Sequence, residues 1–399
     1  MVSSVSGKAS IIGFGEETMV KGNPLNYWSL MSSASKRAIE DARLEKSEID
    51  GLVTVAGSWT LFNTASNIFM EYMGLKNVRH CKTLPYIGGM YYGAFQDAMY
   101  MIVNGLAKNV LVLSADSQNL KYSRGESIQN HAQYYCEPQW ERPFGGSIPA
   151  IYATIAQRYM HEYGATNEQF AAVKVAATKW ALMHPLAMQK KPVTIDDVLS
   201  SPMAFSPLHL LDFSMFGGAG GFAFVLTSTD RAVARAGELS HAPVRMEAFE
   251  IVPSQQFWVS YRDSMSISDE LAIEVPAAYA AAGIGPKDVD LFYTCDTTTC
   301  GVLQALEDCG FCKRGEAGYF VSDAQIEPGG ALPTNTSGGS LSGRHPGGSV
   351  LVMSQLAEMM VQLRGEAGQR QVPNAEVAAV AYGGTAHSNQ SYSIWRRLD

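Results

Sequence analysis

Two stretches far apart in this chain repeat one order of elements, and a chain built that way must bury two similar apolar faces against each other. In the first, Leu30–Leu44 spaces Ala34, Ala38, Ile39 and Ala42 as one face of a helix. A polar turn, Glu45–Asp50, then leads to an apolar strand beginning at Leu52. In the second, Glu270–Ala282 gives the helix, Gly283–Asp288 the turn and Val289–Tyr293 the strand. Each next reaches a Gly-Gly pair that opens an apolar helix. Gly88-Gly89 precedes Met90–Val103 and the strand Asn109–Ser114, and Gly347-Gly348 precedes Ser349–Leu363 and the strand Glu376–Tyr382. Two such helix–strand–helix–strand units predict two α/β halves packed as a pseudo-dimer.

Between them, Gln118–Pro207 is rich in Tyr, His, Pro and Trp and matches neither half, so it reads as an inserted loop domain covering a site. Its helical segments are Ala150–Tyr163 and Asn167–Met183. The polar Arg235–Pro243 marks the passage between the halves. The expected partition is 1–117 with 208–240 as the N-terminal half, 118–207 as the loop domain and 241–399 as the C-terminal half.

A chain of 399 residues is too long for one ordinary core, and 46% apolar with 17% charged residues excludes disorder. Lys and Arg number 30 against 38 Asp and Glu, a net charge of -8 without a basic stripe, so nucleic acid is set aside as a partner. The N-terminal stretch lacks the apolar core of a signal peptide and no window approaches 18 uncharged apolar residues, so a cytoplasmic protein without a membrane partner is expected. Six cysteines are too few for a disulfide scaffold.

The most informative segment is Leu332–Gly348, where five glycines and two prolines stand within 17 residues. That composition describes backbone brought close to something, with Asn335 and His345 on irregular chain just before a helix. A helix start offers free N–H groups, and a histidine beside it can serve as acid, base or oxyanion donor. An ordinary glycine-rich turn with a solvated histidine is the competing reading. Gly217–Gly221 lacks the Lys and Ser/Thr of a phosphate loop and reads as structural. Cys295, Cys300, Cys309 and Cys312 imitate a metal knuckle, but their spacing is unusual for zinc and no metal site is expected.

The run Asn335-Thr-Ser-Gly-Gly-Ser-Leu-Ser-Gly-Arg-His345-Pro-Gly-Gly resembles the asparagine–histidine loop of the thiolase superfamily, most closely its lipid-transfer-type branch. Cys295-Asp296-Thr-Thr-Thr-Cys300 with Leu306-Glu-Asp-Cys-Gly-Phe311, Ala181–Ala187 and Gln362-Leu-Arg-Gly365 resemble further segments of that branch, in family order. The resemblance implies a thiolase-like α/β fold, two duplicated halves in five layers with an inserted loop domain, and a homodimer. It also implies acyl-CoA chemistry, with coenzyme A as substrate or thioester carrier and no bound cofactor. A small partner subunit combining an OB-fold with a zinc ribbon fits the same branch.

The family's usual reaction uses two cysteines and a histidine, and only the histidine carries over, as His345, with Asn335 as orienter of a water or carbonyl. The nucleophile position falls at about Gly88 and the second cysteine position at Ala381. Three explanations stand side by side. A displaced thiol, Cys81, Cys295 or Cys300, replaces the nucleophile. Alternatively no covalent intermediate forms, and an enolate is held while Tyr382, Tyr293, Asp296 or His387 moves a proton, the logic of a retro-aldolase. In the third, the chain only binds an acyl-CoA. The expected catalytic set is His345, Asn335, Asp296, Cys295 and Tyr382, and Gly88, Gly89, Gly338, Gly339, Gly347 and Gly384 are the expected backbone contacts to CoA. The expected reaction is carbon–carbon bond cleavage, first as thiolysis of a bulky β-ketoacyl-CoA and second as retro-aldol cleavage of a β-hydroxyacyl-CoA. Tyr134, Tyr135, Trp140, Phe144, Phe257 and Trp258 are aromatic residues able to face a large flat acyl group or simply to pack under the loop.

Overall fold

The computed structural model describes residues 5–19, 26–57, 64–85, 92–117, 122–254, 256–266, 269–384 and 389–398. The N-terminal elements are β1 (Ala9–Met19), α1 (Tyr27–Asp41), β2 (Gly51–Val55), α2 (Ala65–Met73), β3 (His80–Leu84), α3 (Tyr92–Val103) and β4 (Val110–Asp116). An excursion follows through α4 (Arg124–Tyr135), α5 (Ile148–Tyr163), α6 (Asn167–Leu182), α7 (Ile195–Ser200) and the hairpin of β5 (Met203–Phe205) and β6 (Leu208–His209). The chain returns as β7 (Ala219–Ser228) and α8 (Thr229–Ala234). It ends in β8 (Val244–Pro253), α9 (Asp269–Ala282), β9 (Leu291–Thr294), α10 (Thr299–Asp308), α11 (Ala317–Ser322), α12 (Leu351–Leu363), β10 (Val377–Gly384) and β11 (Asn389–Arg397).

Local chemistry sets the ends of these elements. Ser147 and Thr166 cap α5 and α6 by accepting from the Ala150 and Gln169 N–H groups, and Gly164 ends α5 in the left-handed region.

The repeat read from the sequence reappears in the strand pairing. The order β3-β2-β4-β7-β1 is mirrored by β8-β11-β10-β9. In each half one parallel contact, β2 with β4 or β9 with β10, is followed by two antiparallel ones. The fifth position of the second half is a single bridge, Phe292 to Thr334. The hydrogen bonding runs on from one half to the other, because Ser10 and Ile11 of β1 pair with Arg245 and Val244 of β8.

Side-chain alternation along the strands produces the layers. Leu111, Leu113 and Val225 face α1 and α2, while Val110, Val112 and Phe224 face inward. In the second half Ala378, Val380 and Tyr382 face inward, and Ala379 and Ala381 face α9 and α10. The inner side chains of both halves join α3 and α12 in one apolar cluster. Helix, sheet, helix, sheet and helix are therefore five layers, and α12 in the middle is buried at every residue except Val361. Among the described residues no helix is long and apolar enough to cross a membrane.

Candidate active site

Ligand sites in α/β sheets form beyond the carboxyl ends of the strands. Here Cys295 follows β9 directly, and Tyr382 and Gly383 lie near the end of β10. A cavity of about 220 Å³ opens there, lined by Cys295, Thr297, His345, Gly348, Leu351, Tyr382 and Gly383. The inserted segment closes the other side with Ile148, Tyr152, Phe205 and Phe213, and α4 contributes Arg124, Ser127, Ile128, His131 and Tyr135. Those five are spaced as one face of a helix. The wall is mostly apolar, and Arg124, Ser127, His131, Cys295, Thr297, His345 and Tyr382 supply polar groups to it.

His345 is held by a backbone bridge to Gly217. Burial lowers its pKa to about 4, so the imidazole is neutral near pH 7; Asp116 pulls the other way, and Arg124 and His131 push with burial. His131 is likewise lowered by burial, and its Nδ1 lies 2.8 Å from the Ser127 main-chain oxygen. That oxygen can only accept, so the proton is assigned to Nδ1 and the basic lone pair to Nε2. The Cys295 thiol is pushed up by burial, an effect opposed by hydrogen bonds with Thr297, at 3.1 Å, and Tyr382. α12 begins without a side-chain cap, and Gly348 and Leu351 at its start face the cavity.

The structure thus brings His345, Cys295 and Tyr382 together and sets Asn335 and Asp296 behind them. Asn335, at φ 49°, accepts from the Thr294 N–H at 2.9 Å and donates to the Thr294 oxygen at 3.1 Å. Asp296 accepts from the N–H groups of Ser340 and Leu341 at 2.9 and 3.0 Å and is pushed up by burial. Both bond to main chain, and neither lines the cavity.

The close approaches expected of three glycines are made to protein. A Cβ at Gly338 would meet the Ala181 Cβ at 2.6 Å, one at Gly339 the Asp296 carboxylate, and one at Gly347 the Asp116 side chain. Gly384 pairs with Asn389 at the end of β10. Gly88, Gly89 and His387 lie outside the described residues.

Strand alternation separates the two candidates on β10. Ala381, the expected position of the second cysteine, faces the outer cluster with Tyr392 and Ile394, and Tyr382 faces the cavity. Tyr293 is buried with its hydroxyl 3.0 Å from Thr336 and does not line the cavity. Cys300 is fully buried in the outer cluster, and Cys81 is exposed on β3. Of the aromatic residues in the loops, Tyr135 reaches the cavity, whereas Tyr134, Trp140 and Phe144 are exposed. Among the described residues no three His, Cys, Asp or Glu side chains gather as a metal ion requires. Sequence reasoning missed His131 and Arg124, although the 124–127–128–131–135 spacing was there to be read.

Comparison with known proteins agrees with this fold. The family model described as thiolase C-terminal domain-like matches residues 254–397. A steroid side-chain-cleaving aldolase of Thermomonospora curvata is 34% identical, over 91% of this chain and 92% of that protein. The 17-hydroxy-3-oxo-4-pregnene-20-carboxyl-CoA lyase of Mycobacterium tuberculosis is 33% identical, over 90% of this chain and 92% of its own length. The solved Ltp2-ChsH2(DUF35) aldolase superposes with a TM-score of 0.85 at 31% identity, covering 99% of each chain. With the duplicated five-layer fold, the His345 loop and these relatives in agreement, the chain belongs to the thiolase superfamily, in its lipid-transfer-type branch.

Proposed function

We propose that this chain is an enzyme that cleaves a carbon–carbon bond of an acyl-CoA, by retro-aldol scission of a β-hydroxyacyl thioester with a bulky apolar side chain. One observation carries the reading: two neutral imidazoles and Tyr382 share an apolar cavity in which the nearest thiol, Cys295, is held protonated by burial. The aldolase and lyase names of the relatives support it.

In this mechanism His131 Nε2 takes the proton of the β-hydroxyl. The Cα–Cβ bond breaks, its electron pair passes to Cα and the thioester oxygen, and Cβ becomes a carbonyl carbon. His345 donates an N–H to the enolate oxygen. Tyr382 gives its proton to Cα and is reprotonated from His131, which closes the proton balance. Coenzyme A acts as thioester carrier, and the steps as written draw on no resident cofactor. Asn335 and Asp296 are positioning residues in this scheme, and Gly88, Gly89 and Gly384 are the proposed contacts to CoA.

The partition into 1–117 with 208–240, 118–207 and 241–399 belongs to the proposal, supported by the mirrored strand order. So does a homodimer, supported by the end position of β3, which has no outer strand partner among the described residues, and a small OB-fold and zinc-ribbon partner, supported by the two-part name of the Ltp2-ChsH2(DUF35) aldolase. A cytoplasmic setting is supported by six free cysteines.

Thiolysis is the second reading, favoured by the presence of Cys295 in the cavity. Intact-protein mass spectrometry with β-hydroxyacyl-CoAs and β-ketoacyl-CoAs separates the two. Cleavage without added CoA and without an adduct is expected, abolished in Tyr382→Phe and His131→Gln. A covalent acyl adduct with CoA-dependent turnover would replace this reading by thiolysis.

A further inference from the structure

Arg124 is a cation on a mostly apolar wall. It stands at the start of α4, and its Nη2 donates to the Ser214 main-chain oxygen. Among the described residues no carboxylate lies within ion-pair distance of it, and burial alone accounts for its lowered pKa. The group it holds belongs to the reacting end of the cavity. The Ser214 N–H donates to the Thr297 oxygen at 2.9 Å, and the Thr297 hydroxyl lies 3.1 Å from the Cys295 sulfur. The guanidinium is also close enough to His345 to disfavour a second positive charge there.

A half-buried cation without a counter-charge is costly unless a ligand brings the anion. Retro-aldol cleavage creates one negative charge, on the thioester oxygen. The proton taken by His131 leaves its positive charge beside the β-oxygen, whereas the neutral His345 imidazole and the Tyr382 phenol can hydrogen-bond the enolate oxygen but bring no charge to it. Arg124 is the cation lining the same cavity as His345 and Tyr382. We infer that Arg124 is a further catalytic residue, the counter-charge that binds the enolate oxygen as the Cα–Cβ bond breaks. This inference rests on the acyl-CoA reading above.

Two inert thioethers test it without turnover. S-carboxymethyl-CoA puts a carboxylate near the place where the enolate charge develops, and S-carbamoylmethyl-CoA puts a neutral amide there, the CoA moiety being the same. By calorimetry the wild-type chain is expected to bind the acid at least about tenfold more tightly than the amide. Arg124→Gln should bring the two affinities together with the amide unchanged, and Arg124→Lys should keep most of the preference. Equal affinities in the wild type, or a preference that survives in Arg124→Gln, overturn the inference alone. Equal weakening of both probes in a folded Arg124→Gln makes the residue a scaffold for Ser214 and also overturns it. If neither thioether binds the wild-type chain, the acyl-CoA reading itself falls and this inference with it.

Discussion

Asp296 holds Ser340 through both its carboxylate and its main chain. Its carboxylate accepts from the Ser340 N–H at 2.9 Å, and the one Ser340 hydroxyl proton is shared between that carboxylate, at 2.8 Å, and the Asp296 main-chain oxygen, at 2.9 Å. The other carboxylate oxygen takes the Leu341 N–H, and the buried Lys174 ammonium holds the Leu341 carbonyl. These contacts fix the turn that leads into His345. In Asp296→Asn an amide N–H₂ must face a backbone N–H. The expected loss is roughly 2–3 kcal/mol, read by urea denaturation. Turnover should fall without any shift in its pH profile, since a positioning residue carries no proton.

Cys295→Ala and Cys300→Ala should both retain cleavage to within a few-fold. Burial raises both thiols, and Cys300 lies outside the cavity. Single-turnover product analysis checks this. A loss of several hundredfold in Cys295→Ala, with the fold intact, would favour the thiolytic reading.

Acid should weaken the fold through imidazoles that stay neutral when folded. Burial holds His184 at about 3 and His345 at about 4. Below pH 6.5 the unfolded chain binds protons that the folded chain refuses, so stability falls from pH 6.5 downwards, the His345 part levelling off near 4 and the His184 part near 3. His184, packed in the interior, carries most of a loss on the order of a few kcal/mol. Asp296 and Glu307, raised by burial, act in the opposite sense as they protonate. Denaturation at stepped pH should show the decline, with a shallower slope in His184→Gln. The acid limb of turnover should lie well below pH 6.5.

Gly347→Ala should cost roughly 1–3 kcal/mol from backbone strain alone, since φ is 126° there. The added methyl would also overlap the Asp116 side chain. The melting temperature should drop and cleavage with it, because His345 lies two residues away. A variant that melts like the wild type would show that the turn can relax.

Much of the fold was legible because it is periodic. The spacing of Ala34, Ala38 and Ala42 and the unbroken apolar run Val377–Tyr382 report burial directly, and the recurrence of the same order of elements reports the duplication. The site was legible in part. His345 stands out by its motif, but the glycines around it signalled only that something comes close. The partner turned out to be Asp296, Ala181 and Asp116, and sequence spacing carries no information about which elements meet. The main-chain partners of Asn335 and Asp296 were hidden for the same reason, since their hydrogen bonds join segments that only the fold brings together. His131 and Arg124 were missed because the segment that holds them was read for its aromatic residues and not for its helical stripe.

The second half has one bridge where the first has a fifth strand, and that difference makes the two ends of the sheet unlike. The outer edge of β9 is occupied by irregular chain, with the Phe292 N–H donating to the Pro333 oxygen at 3.0 Å and the Asn335 N–H to the Phe292 oxygen at 2.9 Å. At the opposite end of the sheet, β3 has no outer strand partner among the described residues, and its Cys81 and Lys82 are exposed. In the homodimer proposed above, a two-fold pairing through β3 would use that end of the sheet in both copies, and the covered edge of β9 would offer no second site for strand addition.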